Sequence, residues 1–149
     1  MINSTFENRY MRLALKKAKE AYDKDEVPVG AVIVNQEGFI IDSAANSTIT
    51  NNDPTAHAEM IVIRNAAMKL NTDRLDFCDL YVTLEPCPMC AHAISLSRIR
   101  RVYFGAYDKR SNHIESMEGR NIFYKPEIIA GLNEQKCSKL IKDFFKKLR

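Results

Sequence analysis

The sequence predicts an α/β fold, one sheet covered by helices, and three observations carry that prediction. An apolar hairpin pattern lies at 29–41, and a strand–short helix–strand unit runs for about 27 residues from Leu80 to Ala106. Amphipathic segments open and close the chain. The element order they imply is α-β-β-α-β-α-β-(β)-α.

Residues 6–22 place Tyr10, Leu13, Ala14, Ala18, Ala21 and Tyr22 at helical spacing, with Lys and Glu between them. Val29 to Val34 reads as a strand, Asn35-Gln36-Glu37-Gly38 as a turn and Phe39-Ile40-Ile41 as a second strand. So short a turn makes the pair antiparallel. Residues 42–55 are a polar loop ending at Thr55, which can cap a helix from Ala56 to about Leu70. Leu80 to Leu84 is a buried strand, and a helix follows Glu85-Pro86-Cys87-Pro88-Met89-Cys90 to about Ser97. Arg101 to Ala106 is the next strand, and a crossover of this length fits parallel pairing. Residues 107–126 are irregular, and Glu127 to Ala130 is a short strand. The final helix carries Cys137, Leu140, Ile141, Phe144, Phe145 and Leu148 on one stripe. Leu140, Ile141, Phe144 and Leu148 are expected to pack inward.

The chain has 149 residues, the size of one domain, with no stretch spare enough for a linker and no internal repeat. Its 46% hydrophobic and 28% charged residues exclude a disordered or collagen-like chain. No apolar run approaches the roughly 18 to 20 residues that span a bilayer. The first seven residues carry neither the basic nor the apolar region of a secretory signal. A soluble, cytoplasmic protein without membrane association is expected, and its four cysteines are expected to be thiols.

Net charge is only +3, but it is unevenly spread. Arg98, Arg100, Arg101, Lys109 and Arg110 face Asp108 alone within residues 98–110. Lys136, Lys139, Lys142, Lys146, Lys147 and Arg149 outnumber Glu134 and Asp143 at the C-terminus. Either zone alone is most often a solvated face; together they suggest a phosphate-bearing partner.

The chemistry sits in His57-Ala58-Glu59 and Pro86-Cys87-Pro88-Met89-Cys90, each opening a helix. Cys87 and Cys90, three apart, put both sulfurs on one face of the first turn. Free N–H groups and the positive dipole end there favour thiolates, which a metal requires. Pro88 suits a first turn because it has no N–H to leave unpaired. His57 is the well-placed third donor. Two thiolates and an imidazole leave one tetrahedral position open, the pattern of a catalytic zinc, which makes hydroxide available near neutral pH. Glu59 is then the candidate proton shuttle, on a different side of the helix from His57. A redox pair is the competing reading of Cys87 and Cys90, and a cap or surface group that of His57.

At these residues the chain resembles the zinc-dependent cytidine deaminase superfamily, whose signature is His-x-Glu followed by Pro-Cys-x-x-Cys. Asp53-Pro54-Thr55-Ala56-His57-Ala58-Glu59 with Thr83-Leu84-Glu85-Pro86-Cys87-Pro88-Met89-Cys90 is similar, more closely, to bacterial tRNA adenosine deaminases. Val27-Pro28-Val29-Gly30-Ala31-Val32, Phe104-Gly105-Ala106 and Asp143-Phe144-Phe145 extend the likeness over nearly the whole chain. The resemblance implies a cytidine-deaminase-like three-layer α/β/α sandwich with a central mixed sheet of about five strands. Residues 1–149 would be a single zinc-dependent deaminase domain that converts the wobble adenosine of a tRNA anticodon to inosine, as a homodimer. It implies one zinc per chain on His57, Cys87 and Cys90, with Glu59 moving protons. Asn46 sits where the family holds the target base, and Asp108 and Phe145 join it as candidate substrate contacts. The chain departs from the pattern at His92, where the family has glycine, and at 108–117, which lacks a glycine-rich run. His92 and His113 read as surface residues.

Two other functions remain open at this point. A deaminase of free bases or nucleosides, of guanine or cytosine type, shares both motifs. The basic zones and Phe144-Phe145 favour RNA over it, because a free base offers no phosphates. A structural zinc module that binds nucleic acid without chemistry leaves Glu59 unexplained. Phe145, beside Lys146, Lys147 and Arg149, is the aromatic expected near RNA, with Arg98, Arg101, Lys109 and Arg110 extending its surface if they fold to that side.

Overall fold

A computed structural model describes residues 4–110 and 123–148. The elements are α1 (Ser4–Asp23), β1 (Gly30–Val34), β2 (Ile40–Ala45), α2 (Ala58–Leu70), β3 (Asp79–Leu84), α3 (Pro88–Ser97), β4 (Arg101–Ala106), β5 (Glu127–Ala130) and α4 (Glu134–Lys147). The strands form one sheet in the order β2-β1-β3-β4-β5. β1 runs antiparallel to both β2 and β3, whereas β3–β4 and β4–β5 are parallel. The sheet is therefore mixed, as the hairpin and the crossover require.

All five residues of β1, Gly-Ala-Val-Ile-Val, are buried, which only a strand covered on both faces permits. Ala31 and Ile33 join Leu80, Val82, Val102 and Phe104 against Val62 of α2 and Ile94 of α3. Val32 and Val34, one residue out of phase, join Tyr81 and Tyr103 against Tyr10, Met11 and Ala14 of α1 and Cys137 of α4. The period of two along the strands thus feeds two cores, and the molecule is a three-layer α/β/α sandwich.

Two glycines set how closely the helices approach. A Cβ on Gly30 would fall on the Ala14 carbonyl oxygen and within 2.6 Å of the Ala18 nitrogen, so α1 lies directly on β1. A Cβ on Gly105 would fall on the Cys137 sulfur, so α4 lies directly on β4. That second contact brings the α4 side chains to the end of the sheet where the chemistry sits.

Three expectations are corrected. β2 extends through Ala45, so residues 42–45 are strand and not loop. Asp42 and Ser43 hid this, but β2 is an edge strand and an edge tolerates polar residues. Thr55 does not cap α2: its N–H and hydroxyl donate to Asp53 Oδ1 at 2.9 and 2.7 Å, and the N-cap is His57. Leu148, the C-cap just beyond α4, is 61% exposed, while Phe144 is buried against Tyr22. No helix among the described residues is long and apolar enough to cross a membrane.

Candidate active site

The parallel strands β3 and β4 end side by side at Leu84 and Ala106, and the chain leaving each one turns over a cavity of roughly 430 Å³. Pockets of α/β sheets form at such carboxyl ends. His57, Glu59 and Cys87 line the cavity, as do Asn46 and Thr48 from the loop after β2. Residues 107–110 and the α4 residues Ser138, Ile141, Lys142 and Phe145 complete it.

Both helices that meet there begin in the same way. His57 and Cys87 are N-caps in extended conformation, φ −71°, ψ 150° and φ −68°, ψ 168°, and neither side chain caps its own helix. Their polar atoms are thereby free to turn toward each other. Cys90, one turn into α3, is fully buried beneath them. His57 Nδ1 lies 3.5 Å from Cys87 Sγ and 3.4 Å from Cys90 Sγ, and all three donor atoms lie within 4.8 Å of one another. A tetrahedral zinc with bonds of about 2.3 Å to sulfur and about 2.05 Å to nitrogen spaces such donors by about 3.6 Å. The donor set therefore fits zinc in both chemistry and separation.

The electrostatics suit a cation. Cys87 is held well below the usual thiol range by a hydrogen bond from Cys90, and also by His57. Cys90 is pushed up by keeping that proton and by burial. His57 is raised, first by its hydrogen bond with Cys87. Metal binding there displaces the protons that these groups hold.

Glu59, in the first turn of α2, is 3% exposed, and burial pushes its carboxyl up to about 7. A carboxyl at that value exchanges protons readily in both directions at neutral pH. His57 precedes the helix, so its extended backbone, and not a separation around the helix, lets both residues reach one cavity.

Asn46 is buried, and its N–H donates to the Val29 carbonyl at 2.9 Å. Asp108 is buried as well; its N–H donates to Glu85 Oε1 at 3.0 Å, and its carboxylate receives Arg110 Nε and a terminal nitrogen at 2.9 and 2.7 Å. Glu85 was not among the candidates, although a carboxylate between an apolar strand and a proline is a visible signal. It is itself buried and fixes where the chain after β4 turns into the cavity.

The basic zones divide in space. Lys109 and Arg110 line the cavity, but Arg98 and Arg101 do not. Arg101 opens β4 at the far end and pairs with Glu127, and Arg98 stacks on the Phe123 ring at 4.3 Å. At the C-terminus Phe145 lines the cavity as expected, 41% exposed. Lys147 instead turns to Asp25 at 2.8 Å. The lysine of α4 that reaches the cavity is Lys142, one turn before Phe145 and on its side of the helix, a spacing that could have singled it out. His92 is exposed on α3; His113 and Arg149 lie outside the described residues.

Comparison with known proteins agrees with this geometry. Residues 4–106 match the family model described as the cytidine and deoxycytidylate deaminase zinc-binding region. The tRNA-specific adenosine deaminase of Aquifex aeolicus is 47% identical over 145 residues, covering 94% of each chain. That of Bacillus subtilis is 42% identical over 149 residues, covering 97% of this chain and 92% of its own. A solved structure from work on A-to-I editing by tRNA:A34 deaminases superposes with a TM-score of 0.86 at 44% identity, covering 89% of this chain and 99% of that one. With the zinc-binding deaminase region matched and the likeness running end to end, the chain belongs to the tRNA-specific adenosine deaminase family.

Proposed function

We propose that this chain, acting as one zinc-dependent domain, hydrolyses adenosine to inosine at the wobble position of a tRNA anticodon. The observation that carries the reading is a buried carboxyl, Glu59, beside a His/Cys/Cys donor set at the base of a cavity whose mouth bears cations. His57, Cys87 and Cys90 hold the metal. When bound, zinc there acidifies a coordinated water so that hydroxide is available at neutral pH.

The protein's own residues do the rest. Glu59 takes a proton from the attacking water and passes it to adenine N1. Glu59 then carries the second proton of the same water to the 6-amino group, so ammonia leaves and the water oxygen stays on C6. Asn46 offers a donor and an acceptor on one carboxamide and suits a base edge. Asp108 accepts hydrogen bonds at the rim, and Phe145 offers a ring face to an unpaired base. The reading takes the enzyme to be cytoplasmic, with which a tRNA substrate is compatible. The reading includes a homodimer, for which exposed Met68 and Leu96 on the α2–α3 layer provide apolar surface.

The test is purified protein incubated with an anticodon stem–loop RNA carrying adenosine at the wobble position, then sequenced for inosine. Inosine at that base is expected. Turnover of free guanine or cytosine with no inosine in RNA would replace this reading with the free-base one.

The RNA surface is separately testable. Among the described residues, neither Lys109 nor Lys142 has a carboxylate partner. Replacing both by alanine is expected to flatten the slope of log K against log salt by about 1.4, at ~0.7 per single-strand phosphate contact. Zinc content should stay unchanged. An unchanged slope in titrations between low and high salt removes both lysines from the RNA surface.

A further inference from the structure

We infer that Glu26, which touches neither the cavity nor the metal donors, is a positioning residue: its buried carboxylate holds the wall that carries Asn46 and Thr48. The inference rests on the deaminase reading above and assigns a residue which that reading leaves without a task.

The geometry begins at the end of α1. Asp25 adopts a left-handed conformation, φ 58°, its N–H donates to the Tyr22 carbonyl and the Glu26 N–H donates to that of Ala21. This pair of bonds is a Schellman ending, and it turns Glu26 inward until 1% of it remains exposed. There the carboxylate accepts the Thr50 N–H at 2.7 Å, the Ile49 N–H at 3.2 Å and the Thr48 hydroxyl at 3.3 Å. Burial alone would raise this carboxyl, yet the hydrogen bonds from Thr50, Ile49 and Thr48 hold it below the usual carboxylate range. A buried carboxylate without donors is costly, so the charge and the loop conformation hold each other.

The loop is also tethered at its base, by Asn46 N–H to Val29 and Ser47 N–H to Ala56. Beyond that, Asn51 bonds Ser47, Asn52 bonds Ile49 and Asp53 bonds Thr48, all inside the loop. Glu26 therefore anchors the tip of the loop to the rest of the protein. Val27 and Val29, just after it in sequence, line the same cavity, so one short junction supplies part of the wall and fixes the piece opposite. A shift of the wall carrying Asn46 weakens how the base is held whether or not it is reacting, which raises KM more than it lowers kcat.

The experiment compares Glu26→Gln and Glu26→Asp with wild type on the anticodon stem–loop RNA with wobble adenosine, alongside zinc content and melting temperature. Glu26→Gln puts an NH2 group against backbone N–H donors. It is expected to raise KM at least tenfold, with kcat per zinc-loaded chain within threefold and one zinc per chain. Glu26→Asp keeps the charge but shortens the reach, and an intermediate rise is expected. Fluorescence anisotropy with the labelled RNA in the Glu59→Ala background should show the same loss in Kd. A purely structural role would lower the melting temperature and the zinc-loaded fraction while leaving KM unmoved. If Glu26→Gln does not fold, Glu26→Asp decides, and a KM within twofold of wild type overturns the assignment. A wild-type protein that makes no inosine in this RNA defeats the deaminase reading itself; wild-type activity with unmoved KM in both variants defeats only the role of Glu26.

Discussion

Glu59→Ala is expected to retain one zinc per chain and to lose deamination by a factor of about 10²–10⁴ or more, the range that a positioned proton donor and acceptor supplies. The carboxyl is buried beside the metal donors, and burial has moved it to about 7, where it both takes and returns a proton. No other carboxyl among the described cavity residues is equivalent. Asp108 is committed to Arg110, and Glu85 to the Asp108 N–H. Single-turnover rates on the anticodon stem–loop, with metal analysis on the same preparation, check this. Loss of zinc with a residual rate would make Glu59 a ligand and reverse the assigned roles. Glu59→Gln, of equal size, separates the lost proton from a lost volume.

Cys90→Ala and Cys87→Ala are each expected to take zinc from one per chain to near none, and activity with it. Removing either sulfur leaves two protein donors where a catalytic zinc needs three. The two variants should differ in stability. Cys90 is fully buried and its alanine leaves a gap in the core, whereas Cys87 stands at the cavity. Metal that binds only the folded chain raises its melting temperature, so a chelator should lower that of wild type and leave either variant nearly unmoved. Zinc retained at wild-type stoichiometry in Cys87→Ala would reject the donor assignment.

The donor triad was legible because local rules place it. Cys87 and Cys90 share a face by helical spacing, Pro88 marks the first turn, and His57 stands at the start of another helix. Helix boundaries were less legible. Thr55 has the chemistry of a cap, but Asp53 competes for its N–H and hydroxyl, and the helix starts at Ala58 with His57 before it. β2 was cut short because an edge strand need not show an apolar alternation.

Local pattern by itself determined the element order and the mixed sheet, and it singled out His57, Cys87, Cys90 and Glu59 as candidates, since each depends on neighbours within a few residues or on the reach of one connection. The tertiary structure decided which charges meet the cavity. Arg101 and Arg110 are close in sequence, yet a six-residue strand carries them to opposite ends of the sheet, roughly 20 Å apart at about 3.3 Å per residue. Lys142 is distant in sequence but arrives because Gly105 lets α4 lie against β4. Glu26 became visible only once the end of α1 was seen to turn it under the 48–50 loop, because a buried carboxylate is recognised by its donors, and these lie more than twenty residues away.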